Sequence, residues 1–199
     1  MAKNIPNPTQ HPRPKPPIGP DRPCFLRQVA SPAPGGRSDQ GDLNIRIDRN
    51  GVWHYQGSPI NRKEMVCLFA SVLERDTAGV FWLVTPTEMG RVVVDDAPFL
   101  AVELYVAGAG SGQAISFRTN VDEIITADSD HPITVLTDPG TGEPSPYVTV
   151  RPGIEARLSR AVFYELAALA VEGSGAGRPT LGVWSMGTFF PLDSLDVDR

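Results

Sequence analysis

Two arginines, Arg62 and Arg160, each lie at the first position of a predicted helix. Asn61 and Ser159 precede them and are good N-cap residues, and Glu64 follows Asn61 at the spacing of a capping box. A positive side chain here meets the positive pole of the helix dipole, which is unfavourable unless an anion joins it. Two interpretations stay open: the arginines bind a phosphate or carboxylate, or they point to water or pair with acidic side chains.

Further polar residues cluster at the turns between predicted strands: Glu88, Arg91, Asp95 and Asp96 in the first half of the chain, and Arg118, Thr119 and Asn120 in the second. If the two halves face each other through these turns, the side chains offer donors and acceptors to a small polar molecule. Carboxylates and amides are also ordinary turn formers, so both interpretations remain. The candidate ligand-binding residues are Arg62, Glu88, Arg91, Asp95, Arg118, Asn120 and Arg160.

Catalytic and metal-binding motifs are not recognisable. Residues 128–131 (DSDH) lack the glycine, the spacing and the distal glutamate of a calcium loop, and one histidine does not make a zinc site. The glycine run 108–112 has no Gly-Lys-Ser/Thr and precedes a strand. No serine lies in Gly-x-Ser-x-Gly. We expect no metal and no cofactor, and an enzymatic activity is unsupported.

The composition places the chain in the cytoplasm. No apolar run approaches the roughly 20 residues of a membrane helix, and the basic N-terminus lacks the apolar segment of a secretory signal. We expect no stabilising disulfide between Cys24 and Cys67. We predict that Cys67 is a small core residue on a buried helix.

Residues 1–37 form a proline-rich arm that we expect to be disordered, because ten of the 20 prolines fall there. Six basic residues against one acidic residue give the arm a net charge of +5. The other 12 basic and 22 acidic residues give the body −10, which repels nucleic-acid backbones. We therefore expect no nucleic-acid polymer as a partner, whereas the arm could bind a protein.

A first lobe is predicted over residues 38–109. A hairpin of strands 43–47 and 52–55 leads into the helix, and strands 80–84, 91–94 and 99–106 follow. Helical spacing places five apolar residues on the buried face of the helix: Met65, Leu68, Phe69, Val72 and Leu73. Residues 107–112 are either an inter-lobe hinge or a hairpin tip.

A second lobe is predicted over residues 110–199. It contains strands at 114–118, 124–125, 133–136 and 147–150, a helix from Ser159 to about Val171, a loose glycine-rich segment at 173–177, and strands at 181–185 and 188–190. The order of elements matches the first lobe. The sequence therefore predicts an α+β fold of two related lobes from an internal duplication, each an antiparallel sheet with one helix packed across it.

Four segments resemble an uncharacterised bacterial family, domain of unknown function 1285: GVWHYQGSPI (51–60), LVTPTE (83–88), VDDAPF (94–99) and FRTN (117–120). The resemblance spans about residues 41–192. It implies a duplicated α+β core, a second domain loosely similar to pleckstrin-homology folds, a ligand site at the domain interface and a link to signalling. No activity comes with the resemblance.

Two functions follow as hypotheses. The first is a cytoplasmic, non-enzymatic binding or signalling module that holds a small anionic or nucleotide-like ligand in a cleft between the lobes. The alternative is a protein-interaction scaffold that recruits a partner through the proline-rich arm and an exposed strand edge.

Overall fold

The computed structural model of the chain describes residues 36–138, 140, 142–175 and 178–192. The predicted arm lies outside these residues apart from Gly36 and Arg37. The described part of the chain is mostly β-sheet and includes two α-helices. Neither helix is long and apolar enough to span a membrane.

The first sheet has six strands: β1 (Ser38–Ile47), β2 (Trp53–Tyr55), β3 (Ser58–Pro59), β4 (Leu73–Arg75), β5 (Phe81–Val84) and β6 (Glu88–Val94). Their order is β3-β2-β1-β6-β5-β4, with β1 parallel to β6 and every other pair antiparallel. The predicted hairpin is confirmed, with Ile47 opposite Trp53. Because parallel partners end at the same edge, the turn after β1 and the linker after β6 emerge side by side.

Helix α1 (Lys63–Ser71) differs from its prediction at both its cap and its buried face. The cap is Arg62, in an extended conformation without a side-chain cap bond, so Asn61 lies outside the helix and forms no capping box. The buried residues are Cys67 and Ala70. Phe69 stacks on the core residue Trp53 at 6.2 Å between ring centroids. This contact fixes which side of α1 faces the core.

Three of the apolar residues assigned to that buried face are therefore misplaced. Met65 is exposed, and Leu68 is 62% exposed because it lies on the solvent side of α1. Leu73 is buried, but it belongs to β4.

The second sheet also has six strands: β7 (Phe99–Ala107), β8 (Ala114–Thr119), β9 (Ile124–Thr126), β10 (Ile133–Thr137), β11 (Pro144–Arg151) and β12 (Ile154–Leu158). The order is β10-β11-β12-β7-β8-β9, and β7 runs parallel to β12. The sequence placed β7 in the first lobe and missed β12. The sheets are joined by residues 95–98, and residues 107–112 connect β7 to β8 as a hairpin tip.

Both sheets have the same strand order: two three-stranded antiparallel units joined by a parallel pair of their first and last strands. Helix α1 connects the two units of the first sheet, whereas the second helix follows the last strand of the second sheet. The two helices therefore occupy different places in the strand order. The duplication predicted from matching the helices is not confirmed.

Helix α2 (Arg160–Ala167) begins as predicted, because the Ser159 hydroxyl accepts a hydrogen bond from the Val162 amide at 3.3 Å. It ends at Ala167, before the predicted end at Val171, since Val171 starts a strand.

A third, antiparallel sheet follows, made of β13 (Val171–Gly175), β14 (Arg178–Ser185) and β15 (Thr188–Pro191). The segment predicted as loose is a strand up to Gly175.

The described core is one continuous cluster that includes residues from all three sheets, among them Ile47, Trp53, Phe99 and Phe117. Cys67 is part of this core, as predicted. The expectation that Cys67 forms no stabilising disulfide with Cys24 involves a residue outside the described part of the chain.

Ser185 anchors the third sheet to the second. Its side chain is fully buried, and its hydroxyl donates to the carbonyl of Ala127 at 2.6 Å and accepts from the amide of Ile115 at 3.0 Å. Both partners are backbone groups that would otherwise be buried without a partner.

We predict that Ser185→Ala lowers the free energy of unfolding by about 1–3 kcal/mol, because it leaves a buried amide and a buried carbonyl unsatisfied. Urea denaturation followed by circular dichroism measures this change. Ser111→Ala, at an exposed serine of the hairpin tip, is the control and should leave the midpoint unchanged. Equal stability of the two variants would contradict the role assigned to Ser185.

Candidate functional site

Asn120 joins the turn between β1 and β2 to the second sheet. Its Oδ1 accepts from the Leu100 amide at 3.0 Å, and its Nδ2 donates to the Gly51 carbonyl at 2.9 Å. Gly51 has φ +72°, and a Cβ there would lie 2.6 Å from Asn120 Nδ2. The contact therefore needs a glycine on one side and a carboxamide on the other.

The linker between the sheets carries two adjacent carboxylates that bond to different sheets. Asp95 accepts two hydrogen bonds from Arg46 of β1, at 2.8 and 2.6 Å, which lower the pKa of its carboxyl group. Asp96 accepts from Tyr147 of β11 at 2.8 Å and from Arg157 of β12 at 3.0 Å. Burial, and then the bond to Asp96, raise the pKa of Tyr147 to about 12.

A cavity of about 440 Å³ lies where the turn between β1 and β2, the start of β11 and the start of α2 meet. It is lined from both sheets by Arg49, Asn50, Leu100, Glu143, Pro144, Pro146, Arg157, Leu158, Ser159, Arg160, Phe163 and Tyr164. Three of these side chains are arginines and one is a glutamate. The wall is therefore predominantly positive, in a body that carries a net charge of −10.

Local structure holds the positive groups in place. Asp48 Oδ1 accepts from the amides of Asn50 and Val52, at 2.9 and 3.0 Å, and so shapes the turn that carries Arg49. At the other side of the cavity, Ser159 caps α2, and the amides at the start of a helix have no acceptor within it. Guanidinium groups and helix-start amides are the groups that bind phosphate and carboxylate oxygens.

The structure places only one predicted ligand-binding residue, Arg160, in the wall of this cavity. Asp95 and Asn120 lie at the junction of the sheets, but their side chains bond to protein partners. Arg62 is exposed at the start of α1.

The other three predicted residues lie on the faces of the two sheets. Glu88 accepts from Gln40 Nε2 at 3.4 Å, and the Arg91 guanidinium lies over the ring of Trp82, 5.7 Å from its centroid. Arg118 pairs with Glu103 at 2.5 Å and Asp122 at 3.1 Å.

Two of the three cavity arginines were not predicted as ligand-binding residues from the sequence. Arg49 was assigned only to a turn. Arg157 lies in the missed strand β12, where Ile154, Ala156 and Leu158 are buried in alternation with Glu155 and Arg157. This period of two was the available signal for a strand that turns Arg157 away from the core.

Within the described residues, no group of three or more His, Cys, Asp or Glu side chains could hold a metal ion.

The fold and the junction define a two-domain α+β protein, and comparison with known families gives the same division. Residues 36–97 match the N-terminal domain of unknown function DUF1285, and residues 98–192 match the C-terminal domain of the same family. The chain belongs to the DUF1285 family. The boundary between the two matches falls within the linker after β6.

Two crystal structures of family members are similar to this chain. A DUF1285 family protein from Silicibacter pomeroyi DSS-3 is 44% identical, over 86% of this chain and 93% of that chain, with a TM-score of 0.74. One from Shewanella baltica OS155 is 28% identical, over 62% of this chain and 89% of that chain, with a TM-score of 0.50. No curated protein matches significantly.

We predict that Asn120→Asp destabilises the protein by about 1–3 kcal/mol at neutral pH, because an oxygen then faces the Gly51 carbonyl in place of the amide donor. Urea denaturation measures the loss. Asn61→Asp introduces the same charge at an exposed position before α1 and should be neutral or slightly stabilising. An Asn120→Asp variant as stable as wild type would show that the bond to Gly51 contributes nothing.

Proposed function

We propose that the protein is a cytoplasmic, non-enzymatic binding or signalling module that holds a small anionic or nucleotide-like ligand in the cavity between its two domains. The observation that carries this proposal is the convergence of Arg49, Arg157 and Arg160 on one cavity lined from both sheets. A ligand there would contact the first domain through Arg49 and the second through Arg157 and Arg160.

The electrostatic setting supports an anion. The body of the chain is strongly acidic, so a group of three arginines with one glutamate is a local inversion of the overall charge. The net negative charge of the body repels small anions. The local positive field of the three arginines therefore has to supply the attraction. The capped start of α2 adds helix-start amides on the same wall.

The size and the remaining surface of the cavity support a ligand with an apolar or aromatic part. A volume of about 440 Å³ lies within the usual range for small-molecule sites. Phe163, Tyr164 and two prolines contribute apolar surface next to the arginines. Tyr164 is 64% exposed, so its ring is accessible to a stacking group. These features fit a ligand that carries both an anionic group and a flat ring, as a nucleotide does.

We predict that pyrophosphate or a nucleotide, present at 100 times its dissociation constant, adds about 2.7 kcal/mol of stability and raises the midpoint of thermal unfolding by several degrees. Arg160→Glu should weaken this binding by about tenfold or more, equivalent to about 1.4 kcal/mol, because it reverses a charge in the wall. Thermal shift and isothermal titration calorimetry measure both effects.

Arg62→Glu is the matched control, because it makes the same charge change at the start of the other helix and outside the cavity wall. It should keep the affinity within about twofold, well below the effect of a contact in the wall. The proposal fails if the two variants lose affinity equally, or if no anion binds in a manner that Arg160→Glu weakens.

The common origin of the domains is also a proposal. The shared strand order of the two sheets supports an internal duplication in which the sheets, rather than the helices, correspond. The loose similarity of the second domain to pleckstrin-homology folds is supported by its two antiparallel units and the helix that follows them.

The scaffold alternative has weaker support. Arg37, at the end of the proline-rich arm, donates to the Thr85 carbonyl at 3.0 Å, so the arm is tied to the first sheet at that point. The outer strand β4 exposes the charged residues Glu74 and Arg75, and charged edges discourage the pairing of a further strand.

Deletion of residues 1–36 separates the two functions, because it removes the proline-rich part of the arm and retains Arg37. A binding module should keep its affinity for pyrophosphate within about twofold, since these residues lie outside the described cavity wall. A scaffold should instead lose a partner that copurifies with the full-length chain. Calorimetry on the two forms and affinity purification from the native host measure these outcomes.

A further inference from the structure

Arg157 takes part in an ion pair with the linker and also lines the cavity. Its Nη1 donates to Asp96 of the linker at 3.0 Å, and the same residue lines the cavity between the domains. Asp96 also accepts from the Tyr147 hydroxyl at 2.8 Å, so one carboxylate holds two side chains of the second sheet. An arginine has five N–H donors, and the contact with Asp96 uses one of them.

The neighbouring carboxylate provides an internal comparison. Asp95 is bound by Arg46, which does not line the cavity. The linker is thus tied to the first sheet by an ion pair whose cation, Arg46, does not line the cavity. It is tied to the second sheet by an ion pair whose cation, Arg157, does.

We infer that Asp96 is a built-in competitor that sets the anion affinity of the cavity through Arg157, and that a bound anion loosens the hold of Asp96 on the linker. This inference rests on the proposed function. A negative charge next to Arg157 cancels part of the field that an incoming anion would experience. An anion that contacts Arg157 likewise reduces the attraction between Arg157 and Asp96. The two effects are the same coupling free energy measured from either side.

The competition has a defined sign. Removal of the Asp96 charge strengthens anion binding, whereas removal of the Tyr147 hydroxyl weakens it, because Asp96 then depends on Arg157 alone. If Asp96 served only to orient Arg157 for the ligand, its removal would weaken binding. The two roles therefore predict opposite changes for Asp96→Asn.

The test uses the full chain with inorganic pyrophosphate as the probe, in calorimetric titrations of wild type, Asp96→Asn, Asp95→Asn and Tyr147→Phe. Asp96→Asn should bind about tenfold more tightly than wild type, within the usual range of coupling between sites. Tyr147→Phe should bind a few-fold more weakly, because Asp96 then pairs with Arg157 alone and competes more strongly with the anion. Asp95→Asn removes an equal charge one residue away and should change the affinity by less than about threefold.

Hydrogen exchange gives a second measurement that a general change in stability would not reproduce. Saturating pyrophosphate should speed exchange of the peptide covering residues 94–100 in wild type, relative to the strands on either side. The effect should be absent in Asp96→Asn, where the competing charge has already been removed. Thermal midpoints without ligand establish that each variant is folded, and Tyr147→Phe, which keeps every charge, tests the inference even if Asp96→Asn does not fold.

The outcomes distinguish this inference from the proposed function. If wild type binds pyrophosphate and Arg160→Glu weakens binding, but Asp96→Asn binds equally or less tightly, the competition is overturned and the cavity remains a site. The competition is also overturned if Asp95→Asn and Asp96→Asn strengthen binding equally. If wild type does not bind pyrophosphate, or if Arg160→Glu does not weaken that binding, both the competition and the proposed function are overturned.

Discussion

The carboxamide of Asn120 is the contact on which the cavity depends. It satisfies the Leu100 amide at the start of the second sheet and, with its other end, bonds to Gly51 in the turn of the first. The absence of a side chain at Gly51 allows the approach. Arg49 lies two residues before Gly51, so this contact brings a cation of the first domain to the wall formed by α2 and β12.

Strand direction explains why so much of the junction comes from a few short segments. The parallel pair β1 and β6 places the turn after Ile47 next to the linker after Val94, and the Asp95 amide bonds back to the Ile47 carbonyl at 3.0 Å. The parallel pair β7 and β12 places the end of β12, and hence the start of α2, next to β7. The parallel strand pairs of both sheets thus place these segments at one junction.

Charge at this junction is arranged against the composition of the chain. Carboxylates outnumber basic groups in the body, yet the cavity wall gathers three arginines. The two aspartates of the linker pair with separate cations, Arg46 and Arg157, and neither aspartate lines the wall.

The sequence by itself determined features that depend on neighbours in the chain. The alternation around residues 43–55 predicted the hairpin, and Ser159 before an apolar helical pattern predicted the start of α2, where Arg160 lines the cavity. The same reasoning failed for α1, because local spacing favoured Met65 and Leu68, while the stacking of Phe69 on Trp53 turned the helix.

Only the tertiary structure decided which polar residues meet. Arg46 lies 49 residues from its partner Asp95, Arg157 lies 61 from Asp96, and Gly51 lies 69 from Asn120. Whether an aspartate at a turn faces a ligand, water or an arginine depends on which strand lies opposite. Strand order depends on pairing between strands far apart in the sequence, which no local pattern encodes. It places Arg49 and Arg157 in the cavity wall and Arg118 beside Glu103 and Asp122.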